Sequence, residues 1–352
     1  MRNIYLFILF ISFSKIIIAS QPTEDKSSNS NSAIDTNFID SHRSLLNTKF
    51  LLSQRYNKFS IKDDITGQAL EYSVNSNENM GFGANYKGIG FEFQFAPRFL
   101  NNNKNDSIYG KSSQFSISFG GNGRRFIYDV YYRENQGFHT TQGFKIPNDT
   151  SNRVVYFYRP DIKNVIFGSE CVYVLNNTRF SSSAPYNYTQ RQKKGAGSAL
   201  VGAFFSIYSI SADSVIFPDS LKDKFKPEVQ IKKAGSSSFG ISYGYTYTFV
   251  FGKHKYWYAN IYTLPGLSLQ QYYSTNGEDI STKSKLGLAL AFQYRLALGY
   301  NRTRYFYGFS AMGNNYTINN DKKSSLNYNY GNIRFHFGYR FGLKREYIKL
   351  IK

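Results

Sequence analysis

Seven ionisable side chains, Glu92, Asp129, Glu170, Arg295, Arg334, His336 and Arg340, sit among segments in which large apolar residues occupy alternate positions. Carboxylates, guanidiniums and an imidazole gathered on one face could do acid–base work. A histidine within reach of a hydroxyl, and oriented by an acid, could also activate a nucleophile. His336 is the candidate base, because it stands between Phe335 and Phe337 in a strongly alternating stretch. Serines are so frequent on the same face that none is marked as its nucleophile. The plainer reading is that acidic and basic residues pair across strands and satisfy one another in a narrow, partly filled interior.

A second group is Gln190-Arg191-Gln192-Lys193-Lys194-Gly195-Ala196-Gly197-Ser198. Two glycines beside Arg191, Lys193 and Lys194 could cradle an anion, but a nucleotide-binding P-loop places its lysine after the last glycine. The alternative is a tight basic turn packed at the mouth of whatever the strands enclose. The four histidines, His42, His139, His254 and His336, form no ligand-spaced pair, so neither a metal nor another cofactor is expected. Cys171 is the single cysteine; it cannot form an internal disulfide and reads as a packing residue.

What must position these groups is a two-faced strand. From Leu286 to Tyr300 the even positions are Leu286, Leu288, Leu290, Phe292, Tyr294, Leu296, Leu298 and Tyr300, and the odd ones are small or polar, with Gln293 and Arg295 among them. Successive strand side chains point to opposite faces, so this strand has one greasy face and one small or polar face. The pattern recurs at Phe239–Phe251 and Ile333–Phe341, and more briefly at Ile89–Phe95, Phe115–Phe119 and Phe126–Tyr132. Such strands suit the wall of a membrane barrel, apolar outside and polar within.

Residues 1–20 read as a cleaved signal peptide, with Arg2 ahead of the apolar run Ile4–Phe13 and small residues at Ala19 and Ser20. Residues 21–40 read as a disordered periplasmic leader, and 41–352 as a single barrel domain. No later stretch is apolar for the roughly 18 residues that a membrane helix requires. The mean hydropathy of −0.44 is compatible with a barrel, whose lumen and loops dilute its lipid-facing residues. The chain has 43 Lys and Arg against 23 Asp and Glu, and loss of Arg2 and Lys15 with the signal lowers its net charge from +20 to +18. An exported chain with dispersed cations is not expected to bind nucleic acid; lipopolysaccharide or an anionic solute is the expected counterpart.

Connections should alternate between short periplasmic turns and long outer loops. Short turns are expected at Lys87-Gly88, Gly121–Gly123, Pro160–Lys163, Gly252–His254 and Asn301–Thr303. Long polar segments fall near 97–111, 134–152, 210–235, 274–284 and 314–327. With Arg179–Ala184 taken as a short descending strand, the pattern predicts an all-β antiparallel transmembrane barrel of about 14 strands, in a range of about 12 to 16. The stretch Ser41–Tyr56 reads equally as a short helix or a first strand.

Tyr158-Arg159-Pro160-Asp161, Phe180-Ser181-Ser182-Ser183-Ala184 and the Gln190–Ser198 run, with Tyr243-Gly244-Tyr245-Thr246-Tyr247-Thr248 as a looser match, carry a further signal. In these the chain resembles an uncharacterised family of outer-membrane proteins of Bacteroidetes-type bacteria, known as a domain of unknown function. Most of the mature chain takes part, with the central block the specific portion. Tyr72-Ser73-Val74-Asn75 departs from the family pattern, which has a proline before the asparagine. The resemblance implies an architecture and a place in the bacterial outer membrane, and no activity.

The expected function is a passive conduit or structural surface protein with a basic lumen. Its expected partners are outer-membrane lipids, lipopolysaccharide and the barrel-assembly machinery. Two alternatives stand beside it: an enzyme acting on lipid or lipopolysaccharide through the lumen set, and an adhesin built from the outer loops, 210–235 above all.

Overall fold

Alternation of residue size decides which way each strand faces. Leu286, Leu288 and Leu290 are 75%, 60% and 67% exposed, while Ala289 and Ala297 on the other face of the same strand are 4% and 5% exposed. The computed structural model describes residues 34–76, 78–86, 89–97, 99–101, 106–145, 154–218, 230–276, 281–320 and 324–342. The signal peptide, leader residues 21–33, the Lys87-Gly88 turn and residues 219–229 of the long 210–235 segment lie outside the described residues.

In chain order the elements are β1 (Ile39–Ser41), β2 (Leu45–Asp63), β3 (Ala69–Ser73), β4 (Glu78–Tyr86), β5 (Ile89–Phe95), α1 (Asp106–Tyr109), β6 (Ser113–Asn122), β7 (Phe126–Thr140), β8 (Phe144–Lys145), β9 (Val154–Val155), β10 (Tyr158–Val174), β11 (Gln190–Gln192), β12 (Ala196–Ser211), β13 (Ile231–Phe251), β14 (Trp257–Asn276), β15 (Ser281–Asn301), β16 (Tyr305–Asn320) and β17 (Ser324–Gly342). The wall runs β2-β4-β5-β6-β7-β10 and then β12 through β17, which pairs back onto β2. Every neighbouring pair is antiparallel, so twelve strands close on themselves as a β-barrel without a free edge.

The wall is not uniform along its height. β2 pairs with β4 over Asn47–Gln54 but with β3 over Lys58–Lys62. The other edge of β3 meets β7 directly, Tyr72 with Thr140 and Ser73 with His139. In the half that carries the long loops, β3 therefore bridges β2 to β7, and the wall there has ten strands. β4, β5 and β6 widen it to twelve only towards the short turns.

The interior fills in two ways. In the narrow loop half, inward aromatics and aliphatics from all round the ring form one core, including Phe59, Tyr72, Phe138, Ile166, Tyr208 and Tyr328. The chain after β12 tucks into it: the Tyr72 hydroxyl donates to the Ile216 carbonyl at 2.6 Å, and Arg159 donates to the Val215 and Ile216 carbonyls at 2.7 and 3.0 Å. In the wider turn half, residues 175–195 fold inward as a plug. Ser183, Tyr188 and Thr189 are fully buried, and Tyr188 stacks on Phe306 with ring centroids 4.2 Å apart. β1 pairs with β11 at this end, so residues from Ile34 to Ser41, which composition places in or beside the leader, are ordered against the plug.

Three departures turn about 14 strands into twelve. β10 runs straight through Pro160, which sits at a register shift between Arg159 and Lys163. A bulge is where a strand tolerates a residue without an N–H. Arg179–Ala184 is turn and bend within the plug, not a strand. Ala69–Ser73 and Glu78–Tyr86 share one descending path along β2, which itself resolves Ser41–Tyr56 in favour of a strand from Leu45.

Candidate functional site

Between the apolar core and the plug lies a polar layer. β2 contributes Lys49, Ser53 and Arg55, β5 contributes Glu92 and Gln94, β7 contributes Asp129 and Arg133, and β17 contributes Arg334, all by the period-two rule that turns their neighbours outward. Glu92 accepts from Lys49 Nζ at 3.0 Å and from an Arg334 guanidinium nitrogen at 2.9 Å. Gln94 donates to Glu92 and accepts from Ser53 Oγ at 2.6 Å and from Arg55 at 3.3 Å. Across the layer, Glu170 on β10 accepts from Gln293 Nε2 at 3.0 Å and from Arg295 at 3.5 Å, both on β15. Asp129 stands directly opposite Glu170 in the β7–β10 ladder.

The charges in this layer do not balance. Lys49, Arg55, Arg133, Arg295 and Arg334 face Glu92, Asp129 and Glu170. Glu92 is engaged by Lys49 and Arg334, and Glu170 by Arg295. Among the described residues, neither Arg55 nor Arg133 forms an ion pair with a carboxylate. Arg133 instead lies over the rings of Tyr330 and Tyr131, at 4.3 and 5.0 Å from their centroids. Cation–π contact offsets part of the desolvation of a guanidinium but leaves its charge in place.

Arg55, Arg133 and Arg334 line a cavity of about 50 Å³ with Glu92, Gln94, Gln114, Asn332 and Tyr330. Arg133 Nε, Arg334 Nε, Gln114 Oε1 and Asn332 Oδ1 are buried there with no hydrogen-bond partner among the described residues. Buried polar groups are ordinarily satisfied. Three guanidiniums around one small polar space fit an oxyanion with its water, the planar groups matching two oxygens at a time.

The residues singled out by sequence fall into separate places. Glu92 and Arg334 line the cavity, while Asp129, Glu170 and Arg295 belong to the same layer but not to the cavity lining. His336 and Arg340 lie lower on β17, against the plug. The Tyr188 hydroxyl bonds to His336 Nε2 and also to the Tyr258 hydroxyl, so this imidazole faces phenols and not a serine. Arg340 is fully buried; it donates to Asn47 Oδ1 at 2.9 Å, to Asn301 Oδ1 at 2.7 Å and to the carbonyls of Tyr188, Arg302 and Thr303. Arg191, Lys193 and Lys194 tie the plug to the first described residues: Arg191 to Asp40 at 3.1 Å, Lys193 to the Thr36 carbonyl at 2.9 Å and Lys194 over the Phe38 ring at 5.5 Å.

Sequence reasoning misses Lys49, Arg55 and Arg133. The signal was present for the first two in the alternation Asn47, Lys49, Leu51, Ser53, Arg55, Asn57, but the doublets Leu45-Leu46 and Leu51-Leu52 blur it. Arg133 lies just past the last clear alternation, Phe126–Tyr132.

The family described as Domain of unknown function (DUF4421) matches residues 33–341. No curated protein matches the chain. Among solved structures, the outer membrane protease OmpT from Escherichia coli is similar at 10% identity and a TM-score of 0.37, over 86% of this chain and 98% of that one. Neisserial surface protein A is similar at 9% identity and a TM-score of 0.21, over 81% and 96%. The P. putida toluene transporter TodX is similar at 8% identity and a TM-score of 0.22, over 85% and 91%.

Proposed function

The chain belongs to the DUF4421 family of unknown function, and on that footing we propose that it is an outer-membrane barrel with a filled interior that binds an anion, not an open conduit. The observation that carries the proposal is the pair Arg55 and Arg133, without carboxylate partners, on a cavity held between two packed ends.

A membrane setting is supported by the outer face, where Phe239, Ile241, Leu267, Leu288, Leu290, Phe309 and Ile333 are exposed in one apolar band. Monomeric soluble proteins rarely show so large an apolar surface. Near the short turns Trp257 packs against Tyr300 and Tyr307 at 5.3 and 6.0 Å, as residues of an interfacial aromatic girdle would. The short-turn end, which also holds the plug, is then periplasmic, and the long loops face outward. Of the readings open to the sequence, a basic lumen is retained and free passage is given up. The seat of His336 among tyrosines weighs against the hydrolase reading.

The test is a pair of measurements on the refolded protein. In planar bilayers the protein should give no steady conductance steps. In detergent, inorganic phosphate should bind to the unaltered chain and at least ten-fold more weakly to the Arg55→Gln/Arg133→Gln variant. Porin-like conductance, or phosphate binding that ignores both arginines, would sink the proposal.

A further inference from the structure

With both ends packed, the way into the cavity has to be sought in the wall, and among the described residues one seam has the sparsest ladder. β5 and β6 share a single paired position, Gly90 with Gly120, whereas β6 is laddered to β7 along its full length and β5 to β4 likewise. Past that point no ladder pair joins the two strands towards the loop half. α1 and the residues after it, which lead into β6, are tied to the β3–β4 connection: Asn75 donates to Asp106 Oδ1 at 3.1 Å and to the Gly110 carbonyl at 2.8 Å, and its own N–H donates to Ser112 Oγ at 2.8 Å. The unladdered stretch beyond the two paired glycines is a window in the hydrogen-bonded wall.

The cavity reaches this window. Its lining includes Glu92 and Gln94 from β5 and Gln114, Ser116 and Ser118 from β6, which are the inward residues on either side of the gap. It also includes Phe115, an outward residue that is 59% exposed on the barrel's outer face. The cavity therefore abuts the stretch of wall where β5 and β6 carry no ladder. Around the outer rim of the window stand Phe91, Phe93, Phe95, Ile117 and Phe119, all exposed.

We propose that the window between β5 and β6 admits a single-chain amphiphile with an anionic head, a carboxylate or phosphate monoester, from the membrane. The proposal deepens the anion-site reading and rests on it. The head meets Arg55, Arg133 and Arg334 inside. A cavity of about 50 Å³ holds roughly three to five water-sized groups, enough for such a head and too little for an acyl chain. The chain therefore stays outside, along the phenylalanines of β5 and β6, where it remains in contact with lipid. A water-soluble anion would have no use for that apolar rim, and a neutral lipid would leave the guanidiniums uncompensated.

The test uses the full mature protein in nanodiscs with radiolabelled palmitate, oleoyl lysophosphatidic acid and, as the neutral control, monooleoylglycerol. Phe93 and Ile117, which face each other across the window if the Gly90–Gly120 register is extended, are changed to cysteine in a Cys171→Ala background. A short bis-thiosulfonate linker then bridges them, mass spectrometry establishes the bridge, and a reductant removes it. Both anionic amphiphiles should bind at least ten-fold better than the neutral one, lose at least ten-fold on bridging and recover when the bridge is cut. Arg55→Gln/Arg133→Gln should abolish the preference for an anionic head. Amphiphile binding that is indifferent to a verified bridge, or equal for anionic and neutral heads, overturns the proposal. Inorganic phosphate and the unbridged chain test the underlying site separately: phosphate bound through Arg55 and Arg133 leaves that reading standing even if the window fails.

Discussion

Replacing Arg340 with methionine should release the plug while leaving the wall intact. Arg340 projects from β17 into the turn half, and its guanidinium donates to oxygens of Asn47, Tyr188, Asn301, Arg302 and Thr303. The Tyr188 carbonyl, which belongs to the plug, accepts from two of its nitrogens at 3.0 and 2.6 Å. A hydrogen bond to a charged donor contributes about 1.5–3 kcal/mol, but these bonds share one group and do not add. Removing one partner from a buried charged network costs about 3–5 kcal/mol. At 1.4 kcal/mol per factor of ten, the balance between docked and undocked plug shifts by roughly two to four orders of magnitude. Trypsin acting on proteoliposomes reads this directly, since the half-buried Arg191, paired with Asp40 in the docked plug, becomes more readily cleavable when the plug leaves the mouth. Equal cleavage rates for Arg340→Met and the unaltered chain, with both still folded, would refute the clamp. Should Arg340→Met fail to fold, Arg340→Lys keeps the charge and three donors, and is expected to show an intermediate cleavage rate.

Acid should loosen the same mouth. Burial, and then the charge of Arg340, hold His42 down at about 4, against an ordinary 6.5; Asp40 pulls the other way, and Arg191 adds to the lowering. The undocked chain takes up its proton near 6.5 and the docked chain only near 4, so docking is complete above about 6.5 and weakens as pH falls towards 4, by up to about 3 kcal/mol. Trypsin is inactive at the lower end, so pepsin or hydrogen exchange should show the plug opening across that window, and His42→Gln should flatten the response. Leu290→Arg, on the outer face, should hinder insertion by about 2–4 kcal/mol if it lies at mid-membrane, measured by urea-dependent folding into vesicles; Ala297→Ser on the inner face should change little. The folded barrel should run differently on a gel before and after boiling, and a position that does not change would count against a closed wall.

Facing direction was legible because its period is two and needs only local residue size: Phe335, Phe337 and Tyr339 point one way, and Arg334, His336 and Arg340 the other. Strand number was not, because it depends on who pairs with whom. Pro160 looks like a turn until β7 is seen to skip past it through a register shift. Arg179–Ala184 has strand-like spacing, yet its partner is the barrel interior. The strand at Ile39–Ser41 is set by β11, far away in sequence, which a composition rule cannot register. The candidate site was half legible for the same reason. Glu92 and Arg334 declare themselves by alternation, but their pairing with one another, and the isolation of Arg55 and Arg133, arise only when β2, β5, β7 and β17 are brought round the ring.

The change from twelve strands to ten explains why a site exists at all. Barrel width grows with strand number, and the ten-strand half is narrow enough for tyrosines and phenylalanines from opposite walls to meet, as Tyr208 and Tyr328 do with ring centroids 4.2 Å apart. The twelve-strand half is wider than inward side chains can fill, and backbone is supplied from 175–195 to close it. Where the two regimes meet, the wall is too wide for the aromatic core and lies above the reach of the plug. Long polar side chains can span such a level if their charges are met, and here Glu92 answers Lys49 and Arg334 while Arg55 and Arg133 are left over. The same junction also loosens the wall, because β5 and β6 are among the strands that the β3 bridge bypasses, so the surplus positive charge and the sparsely laddered β5–β6 seam share a single structural cause.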